Sequence, residues 1–354
     1  MKVTQSIVDE KKNARLNKAT DKGDSDVQVL GQDISPLGMG CWPIGGAMYA
    51  GTQSLGYTGA SDDASMRTIH AALDCGIQLF DTAAAYGAGH SERLLGQALY
   101  KRPEALIVTK IGIGIDEASR QISFDPFSAD RVAPAVDGCL RRLNRDRIDI
   151  VLLHLNDLPI PEATELFDAL DQAQASGKIR AYGWSTDYSA SVAAMTSRPN
   201  FKAAEFAMNV FVDAPRMQKT VQDHNVYALI RSPLAMGLLG GKYDATRTLP
   251  SDDIRASGEA WMEYFQNGQA NPDLMKTLNA VRDLLMSDGR TLVQGALGWL
   301  WAKAATHIPI PGARTPAQIE GLAAALSKGA LPQSVMADIE NLVPRDPNQP
   351  DRPR

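Results

Sequence analysis

Short apolar runs alternate along the chain with longer segments whose apolar residues recur every three or four positions. The runs "IQLFD" (77–81), "ALIVTK" (105–110), "IDIVLLHL" (148–155), "IRAYGWS" (179–185), "KAAEFAMNV" (202–210) and "VYALIRS" (226–232) predict strands. They are continuously apolar rather than alternating, as expected when both faces of a sheet are buried. "ISPLGMGCW" (34–42), after a small hairpin in "VQVLGQD", predicts a first strand, and the short "THIPIPG" (306–312) an eighth. Between them the spacing predicts helices, from "DDASMRTIHAALDCG" (62–76), with acids at its start, to a closing helix beginning at "PAQIEGLAAAL" (316–326). Strands that are each followed by a helix predict an α/β fold, a single eight-stranded parallel (β/α) TIM barrel over residues 27–343. An open doubly wound sheet would want a GxGxxG turn after an early strand, and "GMGCWPIGG" lacks that spacing.

The remaining segments read as accessories. Residues 1–26 carry acids and bases but no apolar core of signal-peptide length, which predicts a flexible arm. A long loop is expected at 237–270. The tail "PRDPNQPDRPR" (344–354) is proline-rich and charged, which predicts disorder.

Composition narrows the partners. The net charge of −5 comes with no basic block, so nucleic acid is not an expected partner. No run of 18 apolar residues exists, so no membrane span is expected. Three scattered cysteines, Cys41, Cys75 and Cys139, suggest reduced thiols and a cytoplasmic protein. The histidines His70, His90, His154, His224 and His307 show no metal-binding spacing, and "GLLGGKY" does not match a Walker motif.

In a parallel barrel the C-terminal strand ends face the active site. Asp81, Lys110 and His154 sit at three such ends, and Tyr86 lies in the loop after Asp81. Singly, each has a bland reading: a turn former, a solvated strand end, a satisfied core histidine. Together they make a proton-delivery site. A tyrosine of ordinary pKa near about 10 becomes a usable acid when a cation stabilises its phenolate. Lys110 supplies the cation, Asp81 compensates it in a low-dielectric pocket, and His154 donates to a substrate carbonyl oxygen. No side chain in the set is a hydride source, so a cofactor is implied.

At this point the sequence resembles the aldo-keto reductase family. "DTAAAYGAGHSERLLGQAL" is similar to the family signature around its catalytic Asp and Tyr. "IVTK", "DRIDIVLLHLND", "YGWS", "SPLAMGLLGGKY" and "IPIPGARTPAQIEGLAAAL" resemble further family blocks, in order. The resemblance implies an NADPH-dependent reduction of a small carbonyl substrate, with Asp81, Tyr86, Lys110 and His154 as a tetrad and Tyr86 as general acid. It implies an extended NADPH/NADP across the barrel mouth, near Cys41 and Trp42. Ser185 and Thr186, the latter where an Asn is usual, would hold the carboxamide, with Glu205 where a Gln is usual. Ser232, Leu234, Gly237, Leu238 and Lys242 would line the pyrophosphate loop, and Gly312, Arg314 and Gln318 the adenosine phosphate. The family's usual acid and Asn beyond appear as Gly321 and Leu322. Trp42, Tyr49, Tyr57, Phe124 and Phe127 are expected to rim an aromatic substrate pocket. Arg231 stands where an aromatic residue usually stacks on nicotinamide. Unpaired, its charge would disfavour the oxidised ring, so tighter binding of NADPH than of NADP is expected; paired with Glu205 on the next strand, it would not. Channel β-subunits share the barrel, so a partner-binding protein with little turnover is the alternative.

Overall fold

The computed structural model describes residues 26–351 except Ala245, Ser251 and Ala260. Eight parallel strands form a nearly closed barrel: β1 (Gly38–Gly40), β2 (Leu79–Asp81), β3 (Leu106–Ile111), β4 (Ile148–Leu153), β5 (Ile179–Ser185), β6 (Phe201–Ala207), β7 (Tyr227–Arg231) and β8 (His307–Pro309). Each pairs with its neighbour in chain order. The last gap, between β8 and β1, is spanned by a parallel bridge of Gly40 with Gly312, where Gly40 N–H donates to the Pro311 carbonyl at 3.0 Å. A Cβ on Gly40 would lie 2.5 Å from the Ile310 carbonyl oxygen, so this closure requires glycine.

Side chains along a strand alternate between faces. Leu79, Leu106, Val108, Ile150, Leu152, Ala181, Ala203, Leu229, Ile308 and Ile310 form one buried cluster, the barrel interior. Their alternates, such as Phe80, Ile107, Val151, Tyr182, Trp184 and Phe206, belong to a larger cluster under the helices. Each fully buried Leu or Ile stabilises by about 1.5–3 kcal/mol relative to exposure. The predicted hairpin forms from Val27–Val29 and Gln32–Ile34. Val29 and Ile34 join the interior cluster, so the hairpin plugs the N-terminal end of the barrel and leaves the other end open.

Helices α1 (Asp62–Asp74), α2 (His90–Ala98), α3 (Val132–Leu143), α4 (Ile160–Ala175), α5 (Ser189–Met195), α6 (Pro215–Asp223), α7 (Pro272–Leu285), α8 (Leu292–Lys303), α9 (Pro316–Ala323) and α10 (Gln333–Leu342) follow the expected order. Four departures from expectation stand out. The first barrel strand is only Gly38–Gly40, because Ile34 is used by the hairpin. The closing segment is two helices, α9 and α10. Short strands Tyr49–Ala50, Gln53–Ser54, Gly114–Asp116 and Gln121–Ser123 make an unforeseen four-stranded sheet.

The tail is the fourth. Through Asp351 it follows the barrel surface: Arg216 donates to the Asn348 carbonyl at 3.2 Å, and Asp351 accepts from Ser189 N–H at 2.8 Å and its hydroxyl at 2.7 Å. Prolines stiffen this segment in the unfolded chain, so pinning it costs little entropy. The predicted N-terminal arm lies outside the described residues but for Asp26. Among the described residues no helix is long and apolar enough to cross a membrane.

Candidate active site

The inward positions, counted on in twos, pass from apolar to polar at the open end. Leu79 leads to Asp81, Leu106 and Val108 to Lys110, and Ile150 and Leu152 to His154. Likewise Ala181 leads to Gly183 and Ser185, Ala203 to Glu205, and Leu229 to Arg231. The strand period that builds the core therefore aims these six side chains into one space.

Lys110 is fully buried below the floor. Its ammonium donates to Asp81 Oδ1 at 2.6 Å and Oδ2 at 2.8 Å, to the Thr82 carbonyl at 3.0 Å and to the Tyr86 hydroxyl at 3.3 Å. Glu205 Oε2 lies 3.1 Å from the same nitrogen, and Glu205 Oε1 accepts from the Ser185 hydroxyl at 3.1 Å. Tyr86 returns over the strand end because its loop is close-packed. A Cβ on Gly87, which has φ +61, would lie 2.0 Å from the Gly45 carbonyl oxygen. A Cβ on Gly45 would lie 2.9 Å from the Tyr86 carbonyl carbon. The Tyr86 ring stacks on Trp42 at 5.8 Å and meets the His154 ring edge-on at 6.0 Å.

The loop continues into Glu92, fully buried, which accepts from Thr109 at 2.6 Å and Arg142 Nε at 2.6 Å. This pair ties α2 to α3 behind the tyrosine. Nothing in the chain order marked this pair.

Burial dominates the electrostatics. It pushes the Tyr86 phenol up, and the Lys110 ammonium opposes this. Burial alone would lower Lys110, but Asp81 and Glu205 more than compensate and raise it. Asp81 is held well above the usual carboxylate range by desolvation and then Glu205, against Lys110. His154 is lowered to about 3 by burial, with the Lys110 and Arg231 cations adding to the effect. It is thus neutral at physiological pH and can donate a hydrogen bond without carrying charge.

An open cleft of about 1410 Å³ lies above this floor, larger than the roughly 300–1,000 Å³ of most small-ligand pockets. Trp42, Tyr57 and Phe124 line it with Trp261, which the sequence analysis missed. Trp42 sits 5.3 Å from Tyr57 and 6.4 Å from Trp261. Tyr49 and Phe127, expected at the rim, do not line it: Tyr49 is taken up by the small sheet, and Phe127 packs on the core under Arg131 at 5.3 Å.

Among the residues implied to hold a cofactor, Ser185, Glu205, Arg231, Ser232, Leu234, Gly237, Lys242, Gly312, Arg314 and Gln318 line the cleft. Cys41, Thr186 and Leu238 are fully buried behind the wall. The Thr186 hydroxyl turns away to the Asn156 carbonyl at 2.5 Å, so Ser185 alone presents a side chain there.

Ser232, Ala235 and Met236 all have φ near +50, with Gly237 at +99. Such backbone costs about 1–3 kcal/mol per non-glycine residue and turns successive N–H groups into a concavity suited to anions. Asn209 holds the turn by donating to the Ser232 carbonyl at 2.9 Å. Arg314 lies at the other end, donating to the Thr58 carbonyl at 2.8 Å.

Arg231 does not pair with Glu205. Its guanidinium donates to Asp187, whose other oxygen accepts from Ala207 N–H at 2.9 Å. Glu205 instead shares Lys110 with Asp81. Asp187 is two residues beyond Ser185, the next position of the same strand phase, and was legible by that count alone. The charge expected of an unpaired Arg231 against an oxidised nicotinamide is therefore largely cancelled.

Comparison with known proteins gives the family. The model of the aldo/keto reductase family matches residues 36–344. The chain is 32% identical over 308 residues to aldo-keto reductase YhdN of Bacillus subtilis, covering 82% of this chain and 85% of that one. It is 28% identical to the NADH-specific methylglyoxal reductase of Escherichia coli, covering 83% and 90%. A glycerol dehydrogenase structure from Gluconobacter oxydans superposes with a TM-score of 0.74 at 28% identity, covering 93% of this chain and 98% of that one. A family match over most of the chain, on a barrel whose strand ends bring Asp81, Lys110 and His154 to Tyr86, makes this protein a member of the aldo/keto reductase family and an oxidoreductase.

Proposed function

We propose that the protein is an NADPH-dependent carbonyl reductase in which Tyr86 is the general acid. The observation that carries this reading is the Lys110 ammonium, 3.3 Å from the Tyr86 hydroxyl and held by Asp81, with a neutral His154 alongside.

The cleft's donor set fits a dinucleotide phosphate. The strained turn at Ser232–Gly237 and Lys242 suit a pyrophosphate, and Arg314 with the α9 N-terminus suits a further phosphate. Bound there, the cofactor supplies hydride to the carbonyl carbon. Tyr86 gives its proton to the carbonyl oxygen, which gains negative charge as the bond forms. The phenolate left behind faces Lys110, and Asp81 keeps that cation in place. His154 donates a hydrogen bond that orients the oxygen. The walls of Trp42, Tyr57, Phe124 and Trp261 suit an aldehyde or ketone with an apolar or aromatic substituent.

Two measurements test this reading. In fluorescence titrations, Arg314→Ala should weaken NADPH by about ten- to a hundredfold, from about 1.5–3 kcal/mol of charge-assisted bonding, and NADH much less. Equal losses for both would show that Arg314 does not read the phosphate.

The second is a pH profile of reduction. Because His154 is lowered to about 3, its neutral form persists well into the acid range, and the rate should show no acidic inflection between about pH 5 and 7. An inflection there that disappears in His154→Gln would mean that the imidazole titrates in that range.

A further inference from the structure

Lys110 and Tyr86 belong to different segments, so their separation is set by how β3 lies against the loop between β2 and α2. On the inner face the two meet at 3.3 Å, ammonium to hydroxyl. Side chains alternate along a strand, so Thr109, next to Lys110, points to the outer face. There its hydroxyl donates at 2.6 Å to Glu92 Oε1, in the first turn of α2. Thr109 and Glu92 are fully buried, and neither lines the cleft. The chain from Tyr86 to Glu92 is a short closed turn: Ser91 N–H donates to the Tyr86 carbonyl at 3.2 Å, and His90 N–H to the Gly87 carbonyl at 3.2 Å. The other oxygen of Glu92 accepts from Arg142 Nε at 2.6 Å, which compensates its charge. Arg142 is seated against glycine. A Cβ on Gly89 would lie 2.6 Å from its Cδ, and one on Gly138 3.1 Å from its Nη1. Glu92 is therefore held from two sides.

We propose that Glu92 is a positioning residue for the reduction: through Thr109 it ties the turn that carries Tyr86 to the strand that carries Lys110, and so keeps the acid within reach of its cation. This rests on Tyr86 as the general acid. Lying off the cleft, Glu92 reaches neither cofactor nor substrate, so NADPH affinity does not depend on it. Displacing a reacting group by about 1 Å lowers a rate by as much as a hundredfold.

The test measures kcat for an aromatic aldehyde at saturating NADPH, with NADPH dissociation constants alongside. Thr109→Val keeps the shape and removes the hydroxyl; kcat should fall about tenfold while NADPH affinity holds. Thr109→Ser keeps the hydroxyl and loses a methyl group, and should stay closer to wild type than the valine variant. A role in packing alone predicts the reverse order, because serine leaves the gap. Glu92→Gln keeps the shape but accepts on one side only, so it should lower kcat in the same direction, and it replaces the valine variant if that one does not fold. In a Tyr86→Phe background these substitutions should cause no further loss, since no hydroxyl remains to be placed. A wild-type rate in Thr109→Val and Glu92→Gln, a serine variant slower than the valine variant, or equal fold-losses in both backgrounds overturns the proposal. Tyr86→Phe that turns over at the wild-type rate would instead refute the reading of Tyr86 as the acid.

Discussion

Replacing Tyr86 by phenylalanine lowers the rate of carbonyl reduction by about a hundred- to ten-thousandfold, the usual contribution of a positioned general acid. The substitution keeps the ring that stacks on Trp42 at 5.8 Å and lies under Lys110 at 5.0 Å. Only the hydroxyl that accepts from Lys110 is lost. The loop geometry set by Gly45 and Gly87 is untouched, so NADPH affinity should hold. Rates are compared at saturating cofactor and aldehyde. A variant that turns over at the wild-type rate would remove Tyr86 from proton transfer and leave the tetrad without its acid.

The second large effect is on stability. Lys110→Met leaves Asp81 and Glu205 buried together with no cation between them. Removing one partner of a buried ion pair costs about 3–5 kcal/mol. The pH dependence has a definite sign. Asp81 already titrates well above its unfolded range, through desolvation and Glu205, and loses the opposing influence of Lys110 in the variant. A carboxyl raised on folding contributes stability that is fully present below its unfolded pKa of about 4 and is lost as pH rises through the folded value. The variant should therefore melt closer to wild type at about pH 5 than at about pH 8, opposite to ordinary acid denaturation. Adding Glu205→Gln should recover part of the loss at the higher pH. A deficit that does not change with pH would mean that the two carboxylates are not coupled through Lys110.

Much of this site could be read before the fold was seen, because the strand period that buries Leu106 and Val108 also carries Lys110 inward. The same count places Asp81, His154, Glu205 and Arg231. What the chain order hid were partners set by the sheet's closure. Asp187 and Arg231 are distant in sequence and meet because β5, β6 and β7 are neighbours. The small sheet at Tyr49–Ser54 and Gly114–Ser123 was hidden because strands of two or three residues have no pattern long enough to register. Disorder was expected of the tail from its composition, yet Asp351 finds two donors on Ser189.

The central claim is that the cleft brings a reduced nicotinamide and a carbonyl group together above Tyr86. A single-turnover reaction with NADPH dideuterated at C4 and a reactive aromatic aldehyde tests it most directly, with the alcohol analysed by mass spectrometry. The account predicts one deuterium on the former carbonyl carbon, formed rapidly by wild type and at least a hundredfold more slowly by Tyr86→Phe. NADPH that binds tightly while no labelled alcohol forms from any aldehyde or ketone would contradict it and mark the barrel as a cofactor-binding protein.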